Sequence, residues 1–334
     1  MKIAINGFGR IGRCFLRAAI SQGFFDKHEL VAVNSRGEAR IAAHLFKRDS
    51  VHGAFPGSVA NTESSMTVDS LNFAYSHESD PAKLPWKRLG VDLVIEASGA
   101  FTNREDASKH LAAGAKKVLL TAPGKGVDAT LVPGVNDATL KKEHTIVSMA
   151  SCTTNCLAPM CSVLLDSFGI EKGYMTTVHA FTGDQRLIDS DHKDLRRARS
   201  GAVNIIPTTT GAAKSIGEVL PALKGKMDGV AIRVPVVDSS LVDLTVELSK
   251  DADVAAINAA FKKAADKKFK AILEYSDEPL VSTDITRNPH SCVFDSLETN
   301  VLGGNLAKVF GWYDNEWGYS NRLVDAAALM AGRK

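Results

Sequence analysis

Ile3-Ala4-Ile5-Asn6-Gly7-Phe8-Gly9-Arg10-Ile11-Gly12 decides how the rest of the chain is read. A short apolar run, the pattern of a strand, ends in glycines spaced G-x-G-x-x-G, and a helical pattern from Ile11 to Gln22 follows. Between a strand and a helix, such glycines let the backbone turn tightly and approach a pyrophosphate. The helix N-terminus adds unpaired N–H groups and partial positive charge. A glycine-rich turn can also merely join the two elements. The flanking strand and helix favour a dinucleotide site that includes Gly7, Gly9 and Gly12.

Outward from this motif the same alternation continues. Leu30 to Val33, Val91 to Glu96, Val118 to Thr121 and Thr145 to Ser148 read as strands, with Arg104 to Ala113 as a helix between the second and third of them. The class is α/β, with a Rossmann-type doubly wound parallel sheet in a first domain over residues 1–150. Beyond it the pattern changes to a helix from Thr154 to Phe168 and strand-like runs at Met175 to His179, Gly229 to Val237, Val242 to Leu248 and Lys308 to Tyr313. These predict an α+β catalytic domain over residues 151–316 with a mixed or antiparallel sheet. A last helix from Asn321 to Met330, with Ser320 as its N-cap, belongs to a segment 317–334 expected to pack back on the first domain. The charged stretch Thr182 to Arg199 reads as a long ordered loop.

Composition narrows the function. The 334 residues carry 40 basic and 38 acidic side chains, so no global field argues for nucleic acid or an anionic membrane as primary partner. No apolar run approaches the roughly 20 residues that span a bilayer, and the start lacks a secretory pattern; a soluble, cytoplasmic enzyme is expected. Five cysteines, Cys14, Cys152, Cys156, Cys161 and Cys292, are odd in number and form no C-x-x-C pairs, so no disulfide framework and no metal site are expected.

Two places carry chemistry. At the end of the second strand, where an acidic residue would grip the ribose 2′-hydroxyl of NAD, the chain has Ser35 and Arg36. A carboxylate would repel a 2′-phosphate, whereas a serine with an arginine can accept one, so NADP is favoured over NAD. The other reading of Arg36 is a solvated loop cation. In the second place, a strand ending at Ser148 runs through Met149 to Asn155 into a helix, which puts Cys152 at a helix N-terminus where the dipole favours thiolate. His179, at a strand end beside Thr182-Gly183-Asp184-Gln185, is the best candidate base among nine histidines. Cys156 and Cys161 read as small core residues.

Asn6 to Gly12 (N-G-F-G-R-I-G), Ala150 to Cys156 (A-S-C-T-T-N-C), Thr177 to Gln185 (T-V-H-A-F-T-G-D-Q) and Trp312 to Ser320 (W-Y-D-N-E-W-G-Y-S) together resemble phosphorylating glyceraldehyde-3-phosphate dehydrogenases, from Met1 to the C-terminal helix. The resemblance implies a homotetramer whose substrates are glyceraldehyde 3-phosphate and inorganic phosphate. It makes Cys152 the nucleophile and His179 its base. It places the substrate phosphate on Thr182 and Arg233, with Asp184 orienting Arg233, and the attacking phosphate at Ser151, Thr153, Thr210 and Gly211 with charge from Arg197. Without it, Thr208 to Gly211 would read as a turn and Arg197 as a solvated charge. For the cofactor it implies backbone contacts at Arg10 and Ile11, a contact at Thr121, Asn315 on the carboxamide and Tyr319 behind the nicotinamide. The rest of the aromatic cluster, Trp312, Tyr313 and Trp317, reads mostly as core.

The chain also departs from the family. Relatives that use NAD usually have Asp at the Ser35 position, and an apolar residue followed by proline at Ser190-Asp191. Ser190 could serve a 2′-phosphate from a neighbouring subunit, while Asp191 would oppose one unless it points away. Related erythrose 4-phosphate dehydrogenases share the nucleophile and the dinucleotide site but differ at Thr208 to Lys214, here T-T-T-G-A-A-K. A cofactor-free thiol hydrolase or acyltransferase would leave the first domain without purpose. A dinucleotide- or RNA-binding module would survive alkylation of Cys152.

Overall fold

The computed structural model describes residues 1–332 of the chain. It divides into two compact units: one comprises Met1–Pro133, Asp137–Ala150 and the described residues from Ser320 on; the other comprises Gly134–Asn136 and Ser151–Tyr319. Arg333 and Lys334, the end of the expected C-terminal segment, lie outside the described residues.

The first unit holds β1 (Lys2–Asn6), α1 (Arg10–Ser21), β2 (Glu29–Asn34), α2 (Ala39–Lys47), β3 (Val59–Asn61), β4 (Ser65–Val68), β5 (Leu71–Ser76), α3 (Trp86–Leu89), β6 (Leu93–Glu96), α4 (Arg104–Ala112), β7 (Lys117–Leu120), β8 (Ala129–Thr130) and β9 (Ile146–Ser148). Their sheet runs β3-β4-β5-β2-β1-β6-β7-β9-β8, parallel except where β4 pairs with β3 and β5. From β1 the chain builds first toward β2 and later toward β6, so the order reverses between β1 and β6. In open α/β sheets, ligands bind at such a reversal, beyond the carboxyl ends of the strands. Ile3, Ala4 and Ile5 of β1 and Leu93, Val94 and Ile95 of β6 are fully buried, as apolar strands covered on both faces must be. The β3–β5 meander escapes a run-based reading because its strands are short and half polar; in β4 only Met66 and Val68 turn inward. In α2 the buried residues Ala39, Ala42, Ala43 and Phe46 fall at helical spacing.

The second unit holds α5 (Cys152–Phe168), β10 (Ile170–Ala180), β11 (Ile206–Thr209), α6 (Ala212–Val219), β12 (Met227–Val234), β13 (Ser240–Leu248), α7 (Val254–Asp266), β14 (Leu273–Ser276), β15 (Cys292–Leu302) and β16 (Leu306–Tyr313), and α8 (Trp317–Gly332) opens within it. Its sheet, β11-β12-β10-β13-β16-β15-β14, is mixed: β10–β12 and β14–β15 are parallel, the other pairs antiparallel. Residues along β13 alternate buried and half-buried, the period of a strand with one face on a core. That core includes α5, buried without interruption from Thr153 to Leu164, and the stacked rings of Phe261 and Phe294, 3.7 Å apart and 6° from parallel.

The expected α/β class, with a parallel Rossmann-type sheet and a mixed second sheet, is the architecture observed. Three boundaries differ from expectation. The helix expected from Thr154 begins at Cys152, because the Ser151 hydroxyl caps it by accepting from Thr154 N at 3.0 Å. The strand expected to reach Val237 stops at Val234, where Val236 N turns back to Val234 O at 2.7 Å. Ser320 is not an N-cap: α8 opens at Trp317 because the Asp314 carboxylate accepts from Glu316 N and Trp317 N at 2.9 and 2.6 Å, and Ser320 is buried inside the helix.

Replacing Phe261 by Ala removes one partner of a fully buried stack. Denaturant unfolding is expected to show a loss of about 3–5 kcal/mol, and a loss below about 1 kcal/mol would contradict the packing described.

Candidate active site

Between β9 and α5 the backbone bends through Ala150 at φ +52°, a left-handed conformation that a residue with a Cβ seldom adopts. Ser151 then caps the helix, and Cys152 occupies its first turn, whose N–H groups have no partner within the helix. Cys152 Sγ lies 3.5 Å from His179 Nε2. His179 stands next to last in β10, and its register partner across β12 is Arg233. The ring's Nδ1 lies 2.7 Å from Ala180 O and 2.6 Å from Arg233 Nη1, and Arg233 Nη1 also donates to Ala180 O at 2.9 Å. Nδ1 can donate to Ala180 O or accept from Arg233 Nη1, not both: in the first tautomer Nε2 presents a lone pair to the thiol, in the second Nε2 carries the hydrogen.

Charge in this cluster is governed by burial. His179 is 4% exposed, and burial, reinforced by the Arg233 guanidinium, lowers its pKa to about 3. The imidazole is therefore neutral at neutral pH, the form that can accept a proton. Burial also pushes the Cys152 thiol up, against the pull of Arg233 and of the Thr153 N–H and hydroxyl. This corrects the expectation of a depressed thiol: desolvation outweighs the helix terminus and the guanidinium. Tyr313 completes the floor, with its hydroxyl bonded to Thr153 at 2.9 Å and Thr177 at 2.8 Å and its ring edge-on to His179 at 5.9 Å. Sequence reasoning put Tyr313 among core aromatics; nothing in its local pattern marks the hydroxyl.

The anion residues fall into two groups. Arg233 Nε is buried and has no hydrogen-bond partner among the described residues. Asp184 does not hold Arg233 by a hydrogen bond: its carboxylate is committed to Arg197 and to His192 Nε2, the latter at 3.3 Å. Arg197 also donates to Thr209 O at 3.2 Å, which ties it to the turn where Thr210 Oγ1 accepts from Ala212 N and Gly211 caps α6. Thr182 N and hydroxyl turn to Gln185 Oε1 at 3.0 and 3.4 Å. Ser151 and Thr153 spend their hydroxyls on Thr154 and Tyr313. The Thr182–Arg199 stretch is a loop, tied by Arg199 Nε to Asp189 at 2.5 Å and Arg186 Nη2 to Asp191 O at 2.6 Å, with Ser190 and Asp191 exposed.

In the other unit, a crevice of about 400 Å³ at the ends of β1, β2 and β6 is lined by Gly7, Gly9, Ser35, Arg36 and Ser98, among others. Its glycines fit a pyrophosphate cradle. A Cβ on Gly7, at φ +95°, would sit 2.3 Å from Ser98 N, one on Gly12 would sit 2.1 Å from Gly7 O, and Gly9 borders open space. Arg10 turns its side chain to Asp49 at 2.7 Å, leaving backbone as its offering, and Ile11 is half-buried behind the turn. Thr121 lies just past β7, bonded through its N–H to Glu96 O at 3.0 Å. Arg36 is exposed, and Ser35 borders the Tyr75 phenol. Asn315 and Tyr319 belong to the second unit; Asn315 Oδ1 accepts from Ser240 Oγ at 2.7 Å, and Tyr319 is buried.

A Rossmann-type nucleotide-binding unit joined to a unit in which a half-buried cysteine meets a buried histidine defines a class, the dinucleotide-binding oxidoreductases. Comparison with known proteins narrows it. Residues 1–104 match the family model of the glyceraldehyde 3-phosphate dehydrogenase NAD binding domain, and residues 151–315 match that family's C-terminal domain. The chain is 54% identical to a glyceraldehyde-3-phosphate dehydrogenase of Streptomyces coelicolor, over 100% of this chain and 99% of the relative. It is 54% identical to one from Zymomonas mobilis over 99% and 98%, and 52% identical to one from Geobacillus stearothermophilus over 100% and 99%. The chain belongs to the glyceraldehyde-3-phosphate dehydrogenase family. No helix among the described residues is long and apolar enough to cross a membrane.

His179 also makes stability depend on pH. Its folded pKa of about 3 lies below the ordinary histidine value of 6.5, so the unfolded chain takes up a proton that the fold refuses; the contribution is full above about 6.5 and is lost as pH falls toward 3. The wild type is expected to lose up to about 1.4 kcal/mol per pH unit more than His179→Asn through that window. Equal slopes in urea unfolding series would contradict the buried neutral imidazole.

Proposed function

We propose that the protein oxidises glyceraldehyde 3-phosphate with inorganic phosphate to 1,3-bisphosphoglycerate, reducing NADP in preference to NAD. The observation that carries this reading is the 3.5 Å approach of Cys152 Sγ to a neutral His179 Nε2 in a family whose relatives are named glyceraldehyde-3-phosphate dehydrogenase.

His179 takes the thiol proton, and the sulfur attacks the aldehyde carbon to give a tetrahedral alkoxide on Cys152. The Cys152 N–H, free in the first turn of α5, donates to that oxygen. A nicotinamide dinucleotide supplies a hydride acceptor when bound. Loss of hydride leaves a thioester on Cys152, and attack of phosphate on its carbonyl carbon releases the acyl phosphate and restores the sulfur. The proton that His179 took from the thiol passes to the alkoxide to give the hemithioacetal hydroxyl, returns to His179 as hydride is lost, and goes back to the sulfur when phosphate displaces it. Arg233, with an uncommitted buried Nε, and Thr182 receive the substrate phosphate. Arg197, Thr210 and Gly211 receive the attacking phosphate, with Ser151 and Thr153 lining its pocket.

For the cofactor, Gly7, Gly9, Arg10, Ile11 and Gly12 form the pyrophosphate cradle, Thr121 a further contact, Asn315 the carboxamide partner and Tyr319 the backing of the ring. Ser35 and Arg36 set the preference: the crevice presents no carboxylate at the Ser35 position, and Arg36 offers the charge a 2′-phosphate needs. Ser190 supports the same phosphate from a neighbouring subunit. An NADP preference suits the reductive, biosynthetic direction of this reversible reaction. We place the enzyme in the cytoplasm as a homotetramer, a reading supported by Leu187, Ile188, Leu195, Val203 and Ile205, which are all at least 69% exposed in the single chain.

Steady-state assays with glyceraldehyde 3-phosphate test this reading. Sustained turnover is expected only with phosphate present, with the higher kcat/KM for NADP, and Cys152→Ala is expected to lower kcat by about a thousandfold or more. Ser35→Asp should cut kcat/KM for NADP by about tenfold while sparing NAD. A strong NAD preference in the wild type would overturn the cofactor assignment, and turnover independent of phosphate would overturn the reaction.

A further inference from the structure

One chain of polar groups crosses the apolar interior of the first unit and ends at its crevice. Trp86, fully buried, donates from Nε1 to His110 Nδ1 at 3.0 Å. An indole N–H can only donate, so Nδ1 is the acceptor and the ring hydrogen lies on Nε2, 2.9 Å from Glu96 Oε2. Asn6 Nδ2 donates to the same oxygen at 2.6 Å. The other oxygen, Oε1, accepts from Ser98 N at 2.8 Å and from the Ser98 hydroxyl at 2.5 Å. Each hydrogen bond to the Glu96 carboxylate among the described residues is thus one that it accepts.

The crevice end bears directly on the glycine turn. Asn6 and Ser98 line the crevice, and Gly7 lies so close to the Ala97–Ser98 backbone that no Cβ fits between them. Gly7 N bonds to Asn34 O at 2.8 Å, Ala97 N to Asn6 O at 2.7 Å, and Asn34 Nδ2 to Asn6 Oδ1 at 2.7 Å. Displacing Ser98 would displace the turn that rests on it. The ring of His110 also meets Phe101, another crevice residue, edge-on at 6.2 Å.

We propose that Trp86, His110 and Glu96 are positioning residues for the dinucleotide: their hydrogen bonds, all running one way from the indole to the carboxylate, hold Ser98 and, through it, the Gly7–Gly9 turn that cradles the pyrophosphate. The proposal rests on the reading of this crevice as the dinucleotide site. A network serving stability alone would not tie cofactor affinity to the direction of its hydrogen bonds.

Direction can be reversed by substitution. Glu96→Gln replaces one acceptor oxygen by an N–H₂ group that meets donors on either side, Ser98 on one, His110 and Asn6 on the other. His110 cannot exchange its tautomer to receive it while Trp86 donates to Nδ1; in a Trp86→Phe background it can. Direct titration of NAD and NADP is expected to show E96Q weakening binding about tenfold in the wild-type background but only about threefold relative to W86F alone. In the wild-type background, kcat at saturating cofactor should change less than about twofold. His110→Gln, which can keep an acceptor toward Trp86 and a donor toward Glu96, should stay within about threefold of wild type, while His110→Leu should lose about tenfold. Equal losses from E96Q in the two backgrounds, or equal affinities of H110Q and H110L, overturn the relay. If E96Q does not fold, the H110Q and H110L pair decides by the same criterion. If the wild type binds neither NAD nor NADP, the dinucleotide reading itself falls, and the proposal with it.

Discussion

His179 and Arg233 face each other as a register pair across the parallel strands β10 and β12, and the guanidinium this sets beside the imidazole, its Nε buried, acts on the charge of both His179 and Cys152. Arg233 acts in opposite directions on the two partners of the thiol–imidazole contact. It opposes a positive charge on His179 and favours a negative one on Cys152. Burial opposes charge on both. The resting cluster therefore holds its proton on sulfur, beside a base that is unprotonated and 3.5 Å away. In the reaction we propose, a substrate phosphate that engages Arg233 alters the balance where the proton must move, which would link substrate recognition to the first chemical step.

The same economy appears in the first unit. Parallel strands end together at the reversal between β1 and β6, and their carboxyl ends carry Asn6, Asn34 and Glu96, all buried and all bonded to one another or to the loops that follow. Buried polar groups of this kind cost stability unless each finds a partner. Here the partners are one another's side chains, His110, Ser98 and the Glu78 backbone, so satisfying the interior also shapes the crevice.

Much of this was legible in the sequence because the signals were local. The run Ile3 to Gly12 places strand, turn and helix within a few residues, and the apolar stretches of β6, β7 and β9 are continuous because both of their faces are covered. The positions of Cys152 and His179 at element ends are likewise local, and the fold brings the two within 3.5 Å. What escaped was non-local. The β3–β5 meander alternates too briefly to stand out, and β14 and β15 have short or polar-interrupted patterns whose burial depends on neighbours distant in sequence. Asp184 looked like a partner for Arg233 by resemblance, but loop geometry gives its carboxylate to Arg197 and His192. The depressed thiol expected from the helix terminus was offset by desolvation, which a linear pattern does not register. Tyr313 and Glu96 act through hydrogen bonds that only folding assembles.

In the proposed reaction Cys152 carries the substrate as an acyl group between oxidation and phosphate attack, which mass analysis can catch when the protein is quenched in acid after mixing with glyceraldehyde 3-phosphate and oxidised dinucleotide in phosphate-free buffer. One phosphoglyceroyl adduct per chain is expected, mapped to the peptide containing Cys152 and absent when inorganic phosphate is added before the quench. No adduct, or one on another residue, would contradict it.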